Sequence, residues 1–394
     1  MENRYSHDLE LMPKELTLLY EILNTNEDSS QLNRNELLIG IHWDQFLQLA
    51  MHHRVYPLIY SKIKNIDNKG IPPYVIETLY KEYKKNTFEM LKLSGEMEQV
   101  SKLFSENNIL LLFLKGPVIA EDIYGDISLR TSRDLDILIQ SNKLEKAEEV
   151  LLGVGYERKE VPTPFWKLRF HHVTFFHPKK RICLELHWRL HPHSIYEPCF
   201  DELWERKRVS TLTSFPTYYL GKEDLFLYLV AHGGRHGWFR LRWLKDIDQI
   251  LNKKMTSNGN ILLKKKFYHL DGQRYYLGQA LILVSELFHT PINKEMKKLT
   301  ISNGSRKLAK RTILYINRRA HLNFSMSEDE LNKNHNRYLF TIKSNLEKFI
   351  FIMKLFYPNP KDAEALTLPR SLRFLYIPFR PFLWAWRKTM KSKY

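Results

Sequence analysis

Two aspartates and a glutamate stand in runs that otherwise have the apolar composition of buried strands. Asp134 and Asp136 flank Leu135 in "DLDILI", and Glu185 lies inside "ICLELHW". Because side chains alternate between the two faces of a strand, the two aspartates project together and Leu135 faces the core. Carboxylates so close repel, and each raises the other's pKa unless cations neutralise them. We therefore predict a site for divalent cations at Asp134 and Asp136.

The run that contains Glu185 alternates as clearly as the first one. Its apolar residues fall on one face, whereas Cys183, Glu185 and His187 fall on the other. If this strand lies beside the first, Glu185 completes a three-carboxylate site, which suits two cations about 3.5–4 Å apart. His187 would then lie beside the acids, although packing against a neighbouring strand is an equal alternative. The competing explanation for the whole set is a half-solvated sheet face that is acidic without function.

Basic residues upstream of the aspartates could hold phosphate groups. Lys115 and Gly116 follow a short apolar run, and glycine at a helix start allows the backbone to approach a phosphate. Arg130 and Arg133 can each form paired hydrogen bonds to phosphate oxygens. The segment is not a P-loop, because the glycine run and the Lys-Ser/Thr ending are absent. Together with the carboxylates, these cations predict nucleotidyl transfer from a nucleoside triphosphate.

The elements that position these residues form an α/β (α+β) fold with a small mixed sheet between helical regions. Residues 1–105 have helical spacing of apolar residues, and 106–220 contain the order β-α-β-α-β-β. Residues 221–394 are again helical and end in an extended aromatic arm. Within this last region, the glycine-containing stretch 302–307 predicts a loop.

The segment "LVAHGGRHGWFRLRWLKDIDQIL" supplies further candidates around a Gly-Gly break. His232, Arg242 and Asp246 would line a substrate wall that faces the metals, with Asp246 as a base for the accepting hydroxyl. An ordinary salt-bridged helix face is the alternative. For His171 and His172, where a strand begins, we expect a structural role.

Composition limits the partners of the chain. The 394 residues carry a formal net charge of +17, which favours anionic partners such as nucleotides or nucleic acid. The two cysteines have no metal-binding spacing, which predicts a reducing cytoplasm. No window offers about 18 uncharged apolar residues, so we expect no membrane-spanning helix. The aromatic C-terminal arm would pack on the protein's own core, with weak peripheral membrane contact as the alternative.

The residues that carry these predictions also resemble a known family. "LLFLKG", "IYGDISLRTSRDLDILI", "LELHWRL" and "LVAHGGRHGWFRLRWLKDIDQI" are similar to the bacterial uncharacterised nucleotidyltransferases of the DNA polymerase β-type superfamily. The similarity extends over most of the chain. The superfamily pattern of a glycine turn, an Asp-apolar-Asp strand and a later strand carboxylate corresponds to Gly116, Asp134, Asp136 and Glu185. The usual Gly-Ser or Gly-Gly turn is Lys-Gly here and lies farther from the acids.

The resemblance implies Mg²⁺- or Mn²⁺-dependent transfer of a nucleoside monophosphate, with release of pyrophosphate. We expect the acceptor to be a hydroxyl or phosphate on a small molecule or peptide, as in natural-product tailoring or antibiotic modification. One alternative is a related enzyme that acts on tRNA, other RNA or protein, including AMPylation and toxin-type activities. The other is a catalytically degenerate protein that only binds nucleotides.

Overall fold

A computed structural model describes most of the chain, within the following bounds. The described residues are 12–25, 37–64, 70–159, 166–192, 197–256, 273–320, 337, 338, 340, 343, 345–355, 366 and 368–391.

The described strands are β1 (Leu111–Phe113), β2 (Asp134–Ile139), β3 (Glu157–Arg158), β4 (His172–His177), β5 (Ile182–His187), β6 (Arg208–Ser210) and β7 (Thr217–Tyr219). The helices up to the end of the sheet are α1 (Lys14–Asn24), α2 (Trp43–His52), α3 (Tyr56–Ile63), α4 (Pro73–Glu106), α5 (Pro117–Tyr124), α6 (Leu144–Gly153), α7 (Trp166–Arg169) and α8 (Phe200–Glu205). The helices that follow are α9 (Lys222–Arg235), α10 (Leu241–Thr256), α11 (Gln273–Phe288), α12 (Lys294–Thr300), α13 (Asn303–Ala320), α14 (Asn345–Leu355) and α15 (Tyr376–Lys391).

The seven strands form one mixed sheet in the order β3-β4-β5-β2-β1-β7-β6. The strand β2 runs antiparallel to β1 and parallel to β5, and β4 runs antiparallel to β5. Five of the six β2 residues are buried, which explains its continuous apolar sequence. The predicted order of elements is thus present, and β3, β6 and β7 extend it at the two edges of the sheet. The predicted fold class is confirmed.

The helices that precede the sheet in the chain and those that follow it share one hydrophobic core with the sheet. A single buried apolar cluster runs from Leu16 in α1 to Ile316 in α13 and includes the inward faces of β1, β2 and β5. The 34-residue α4 packs against α5 and α6 and against the 3₁₀ turn at Ile127–Leu129. The domain boundaries near residues 105 and 220 stay predictions, because shared packing does not decide where a domain ends.

The C-terminal region differs from the extended arm expected from sequence, because residues 376–391 form helix α15. Pro378 falls in the first turn, where its missing N–H group costs no hydrogen bond, and the helix continues through Pro381. Tyr376 and Leu383 are buried, and the Tyr376 hydroxyl donates to the carbonyl oxygen of Leu366. Among the described helices, none is long and apolar enough to cross a membrane.

The stretch 302–307, expected as a loop, lies almost wholly in α13, which begins at Asn303. A Cβ atom at Gly304 would lie 2.7 Å from the ring of Tyr275, and Ser305 is fully buried. The glycine and serine therefore permit close packing of α13 against α11, and tertiary packing overrides their local preference for turns.

Candidate active site

The register of the central strands brings the predicted acids together. Asp136 on β2 pairs with Glu185 on the parallel strand β5, and Asp134 pairs with Cys183. Paired residues on neighbouring strands share a face of the sheet, so Asp134, Asp136 and Glu185 all project to the same side. The opposite face of β5 carries buried Leu184. The three carboxylates therefore lie on two adjacent strands and one face, as the sequence predicts.

Asp136 is the buried centre of this group. The Lys115 Nζ atom lies 2.8 Å from Asp136 Oδ1, and the Asp136 side chain is fully buried. The Nε2 atom of His187 lies 3.3 Å from the same oxygen and 3.4 Å from Glu185 Oε2. Among the residues that the structure describes, Asp136 Oδ2 has no hydrogen-bond partner. One carboxylate oxygen thus faces two cationic groups, and the other is left for a ligand.

The surrounding charges separate the ionisation of the two aspartates. Burial alone would raise the pKa of Asp136, but Lys115 and His187 outweigh it and hold the pKa well below its ordinary range. Burial raises the pKa of Asp134, and the charge on Asp136 raises it further. Burial would lower the pKa of Lys115, yet the charge on Asp136 leaves it above its ordinary value. Asp136 is therefore ionised, whereas Asp134 beside it is harder to ionise. A bound cation would relieve the repulsion between the two carboxylates.

The turn after β1 places Lys115 against these acids. The Leu114 N–H group donates to the Asp136 carbonyl oxygen at 2.9 Å, which extends the β1–β2 pairing by one residue. Gly116 follows with a φ of 98° and caps α5, and a Cβ atom there would lie 3.4 Å from Leu135. This left-handed conformation favours glycine, so the turn requires Gly116. Because the chain turns at Gly116 into α5, the Lys115 side chain stays beside Asp136 at the end of β1.

Histidines border the carboxylates on the β4 side of the site. His172 Nε2 lies 4.0 Å from Glu185 Oε2, and the ring of His171 packs on the rings of His172 and His187. Burial would lower the pKa of His187, but its contacts with Asp136 and Glu185 outweigh burial and raise it. From the sequence, His171 and His172 were expected to have a structural role, and their proximity to the acids was not predicted. The antiparallel pairing of His172 with His187 creates it, and neither residue alone signals that pairing.

Arg130 and Asp246, predicted as a phosphate ligand and a base, contact each other. Both are 1% exposed, and Arg130 Nη2 lies 3.1 Å from Asp246 Oδ2. Arg130 Nε is 3.1 Å from each carboxylate oxygen, and the Tyr124 hydroxyl donates to Asp246 Oδ1 at 2.9 Å. Arg242 donates to the carbonyl oxygen of Thr131, and burial lowers its pKa to about 9, with a further contribution from the charge of Arg130. These contacts fix the segment that leads into β2.

The remaining predicted residues, His232 and Arg133, occupy different surroundings. His232 packs its ring on those of His236 and Trp243 in the α9–α10 region. Burial lowers its pKa well below the ordinary value, and the charge of Lys115 acts in the same direction. Arg133 is exposed, immediately before β2, on the wall of a cleft of about 530 Å³.

The glycines expected to break the helix do not interrupt it, because α9 runs from Lys222 to Arg235. A Cβ atom at Gly233 would lie 2.2 Å from the Trp238 ring, and one at Gly234 would lie 2.3 Å from Tyr276. The glycine pair is therefore needed for close packing of the helix against two aromatic rings.

The acidic group has the donor chemistry of a cation site. One ligand atom from each of Asp136, Glu185 and His187 lies within 4.8 Å of the others, as do those of His171, His172 and His187. Asp134 is outside both groups, although it shares the face. Carboxylate oxygens are the ligands that Mg²⁺ and Mn²⁺ prefer. The Oδ2 atom of buried Asp136, which has no hydrogen-bond partner among the described residues, is available as one such ligand. The residues present therefore fit a divalent cation.

Comparison with known proteins places the chain in a family. No curated protein matches the chain. Residues 40–289 match the family described as uncharacterised nucleotidyltransferase, and this range includes every strand of the sheet and all of the predicted site residues. The match covers more than half of the chain and agrees with the resemblance noted in the sequence. The chain belongs to the uncharacterised nucleotidyltransferase family.

Proposed function

We propose that the protein transfers a nucleoside monophosphate from a nucleoside triphosphate to a hydroxyl or phosphate group of a small molecule or peptide, releasing pyrophosphate. The observation that carries this proposal is the register of β2 and β5, which sets Glu185 beside Asp136 on the face that Asp134 shares. Family membership supports a transferase, and the chemistry of the acidic group supports metal-dependent nucleotidyl transfer as its reaction.

Asp134, Asp136 and Glu185 would hold Mg²⁺ or Mn²⁺ in this proposal. When bound, such cations polarise phosphoryl oxygens and make the acceptor oxygen a better nucleophile. Two features of the protein support the assignment. Asp136 Oδ2 is buried without a partner among the described residues, and burial together with Asp136 raises the pKa of Asp134. Both unfavourable arrangements would be relieved by a bound cation.

The cationic residues would bind the triphosphate and the charge that develops on the pyrophosphate. Lys115 is held at the site by Asp136, next to the Gly116 turn at the start of α5. Arg133 is exposed immediately before β2, so its guanidinium group is accessible to a phosphate from solvent. Arg130 and Asp246 are revised to positioning residues, because their buried pair fixes the segment before Asp134. Arg242 joins them through its hydrogen bond to Thr131.

Glu185 is the residue best suited to accept a proton from the acceptor. Its side chain is partly exposed, unlike that of Asp136, so an acceptor can approach it. His172 Nε2 lies 4.0 Å from its Oε2 atom, so a proton delivered to Glu185 has a neighbouring imidazole to receive it, while His187, 3.4 Å from the same oxygen, holds the carboxylate in place. His232 would line the acceptor side of the site from α9.

The test is incubation with each of the four α-labelled nucleoside triphosphates, Mg²⁺ or Mn²⁺, and an extract of the source cells. Pyrophosphate release and transfer of label to a product are expected in the wild type and absent in Asp136→Ala. Unchanged turnover in Asp136→Ala would remove the site assignment. Label on RNA, with salt-sensitive tRNA binding, would change the acceptor class to nucleic acid. Nucleotide binding without pyrophosphate release under every acceptor would show a degenerate enzyme.

We also propose a reducing compartment, the cytoplasm, as the working environment. Both cysteines are free, and Cys199 is exposed. Exposed thiols persist in the reduced state where glutathione and thioredoxin keep them so.

A further inference from the structure

A cleft of about 530 Å³, which the sequence pattern does not predict, is lined by Arg133, the residue before the first aspartate. Its walls include Gln48 and His52 from α2, Thr78 from α4, and three arginines, Arg54, Arg133 and Arg240. Neither Lys115 nor Glu185 lines it. Arg133 directly precedes Asp134, and the charge of Asp134 acts on Arg54, so the cleft lies close to the first aspartate.

The backbone groups of Arg54 and Arg240 are paired, since Arg54 N donates to Met51 O and Arg240 O accepts from Trp243 N. Among the described residues, no hydrogen bond or ion pair engages the guanidinium groups of the three cleft arginines, Arg54, Arg133 and Arg240. Burial lowers the pKa of Arg54 to about 10, and the charges of Arg240 and Arg133 lower it further, while Asp134 acts in the opposite direction. Burial and Arg133 also lower the pKa of Arg240. Three guanidinium groups that repel each other in one cleft are costly unless an anion neutralises them.

The backbone at Arg54 has a conformation that is unfavourable for a residue with a Cβ atom. Arg54 follows the C-terminal end of α2 with a φ of 56°, a left-handed conformation that normally favours glycine. For a residue with a Cβ atom this costs about 1–2 kcal/mol. The loop is fixed on both sides, because Val55 N donates to Ala50 O at 3.1 Å and Arg242 N donates to His53 O at 3.3 Å. The strained residue is therefore held in place beside the cleft.

We propose that Arg54, Arg133 and Arg240 form a binding site for the phosphate groups of a reactant. Guanidinium groups form paired hydrogen bonds with phosphate oxygens, and a cleft of this size accommodates more than one phosphate. The ligand is either the triphosphate of the nucleotide or a phosphate carried by the acceptor. The proposal rests on the proposed nucleotidyl transfer for the identity of the reactants, whereas phosphate binding itself does not depend on catalysis. It makes the N-terminal helical region, through Arg54, part of the substrate site.

The binding test uses inorganic tripolyphosphate and isothermal titration at fixed ionic strength. Arg54→Gly is the key variant, because glycine fits the left-handed backbone and the protein keeps its fold while it loses the guanidinium group. We expect Arg54→Gly and Arg240→Gln each to weaken tripolyphosphate binding about tenfold, the loss expected from one charge-assisted contact. Arg158→Gln is the matched control for net charge, since Arg158 pairs with Glu148 on the far edge of the sheet. Its affinity should stay within about twofold of wild type.

Unchanged tripolyphosphate affinity in both Arg54→Gly and Arg240→Gln, with unfolding curves like wild type, would overturn the proposal. A second titration separates the two sources of phosphate. If a non-hydrolysable nucleoside triphosphate analogue competes with tripolyphosphate, the cleft holds the nucleotide's phosphates. If tripolyphosphate still binds to the analogue-saturated protein and Arg54→Gly removes that binding, the cleft holds the acceptor's phosphate. If Arg54→Gly and Arg240→Gln weaken tripolyphosphate binding but the wild type transfers no nucleotide to any acceptor, the proposed function is refuted and the anion site is supported.

Discussion

Replacing Asp246 with asparagine should destabilise the protein strongly, although the side chain keeps its shape. Asp246 and Arg130 are each 1% exposed and 3.1 Å apart, and Asp246 also accepts a hydrogen bond from Tyr124. The substitution keeps an oxygen for Tyr124 but leaves the Arg130 guanidinium without its counter-charge. Arg242 lies close enough to add repulsion.

The magnitude follows from burial and distance. Two unit charges 3.1 Å apart interact by about 5 kcal/mol at an effective dielectric constant of about 20. Breaking a buried pair by removing one partner costs about 3–5 kcal/mol in measured cases. We therefore expect Asp246→Asn to lower the free energy of unfolding by about 3–5 kcal/mol. The double variant Arg130→Met with Asp246→Leu should be more stable than Asp246→Asn, because it removes both buried charges.

Urea unfolding, followed by far-ultraviolet circular dichroism and tryptophan fluorescence, measures these differences. Glu295→Gln is the control, since Glu295 and Lys298 form a pair whose side chains are 68% and 63% exposed, and its loss should leave the free energy of unfolding near the wild-type value. A loss of under about 1 kcal/mol in Asp246→Asn would refute the structural role of the pair. If that variant also lost transferase activity, Asp246 would regain the role of a base predicted from sequence.

Two further predictions concern packing and pH. Gly233→Ala should lower the free energy of unfolding by about 1–3 kcal/mol in urea, because its Cβ atom would lie 2.2 Å from Trp238. The control is Gly95→Ala in α4, where nothing beyond the helix's own backbone lies within 4 Å of the added Cβ atom. This substitution should raise the free energy of unfolding by about 0.5–1 kcal/mol. Equal effects at both sites would contradict the packing argument. Burial raises the pKa of Glu197 from 4.5 to about 7, although the N–H of His191 and the charge of Arg189 oppose it. The folded state therefore favours protonated Glu197, and its contribution is complete below pH 4.5 and is lost as the pH rises to about 7. Urea unfolding from pH 4.5 to 8 should show this loss, at most about 3 kcal/mol, in the wild type and not in Glu197→Gln.

The sequence was sufficient for the features that depend on the alternation of side chains along a strand. The common face of Asp134 and Asp136, the outward position of Glu185 and the Gly116 turn all follow from local geometry. The pairing of β2 with β5 was stated as a condition, since strand order is a property of the whole fold. The structure meets that condition.

What the sequence could not predict depends on contacts between distant segments. Arg130 has the composition of a phosphate ligand, yet Asp246, 116 residues later, occupies its guanidinium group. Arg54 lies 80 residues before Asp134, and its approach to Asp134 depends on the turn after α2, where His53 O accepts a hydrogen bond from Arg242 N of α10. The left-handed backbone of Arg54 cannot be predicted from its residue type, because this conformation normally favours glycine. Short strands such as β6 and β7, with three residues each, lack a periodic pattern.

Direct measurement of Mn²⁺ binding tests the central claim that Asp134, Asp136 and Glu185 form a cation site. Free Mn²⁺ would be followed by electron paramagnetic resonance in titrations of the wild type, Asp136→Asn and Glu185→Gln. Asp201→Asn is a matched control, because Asp201 is exposed on α8 and pairs only with Gln140 among the described residues.

We expect each site variant to bind Mn²⁺ at least about tenfold more weakly than the wild type, and the Asp201→Asn control to bind equally well. Equal Mn²⁺ affinity in the wild type, Asp136→Asn and Glu185→Gln would contradict the claim.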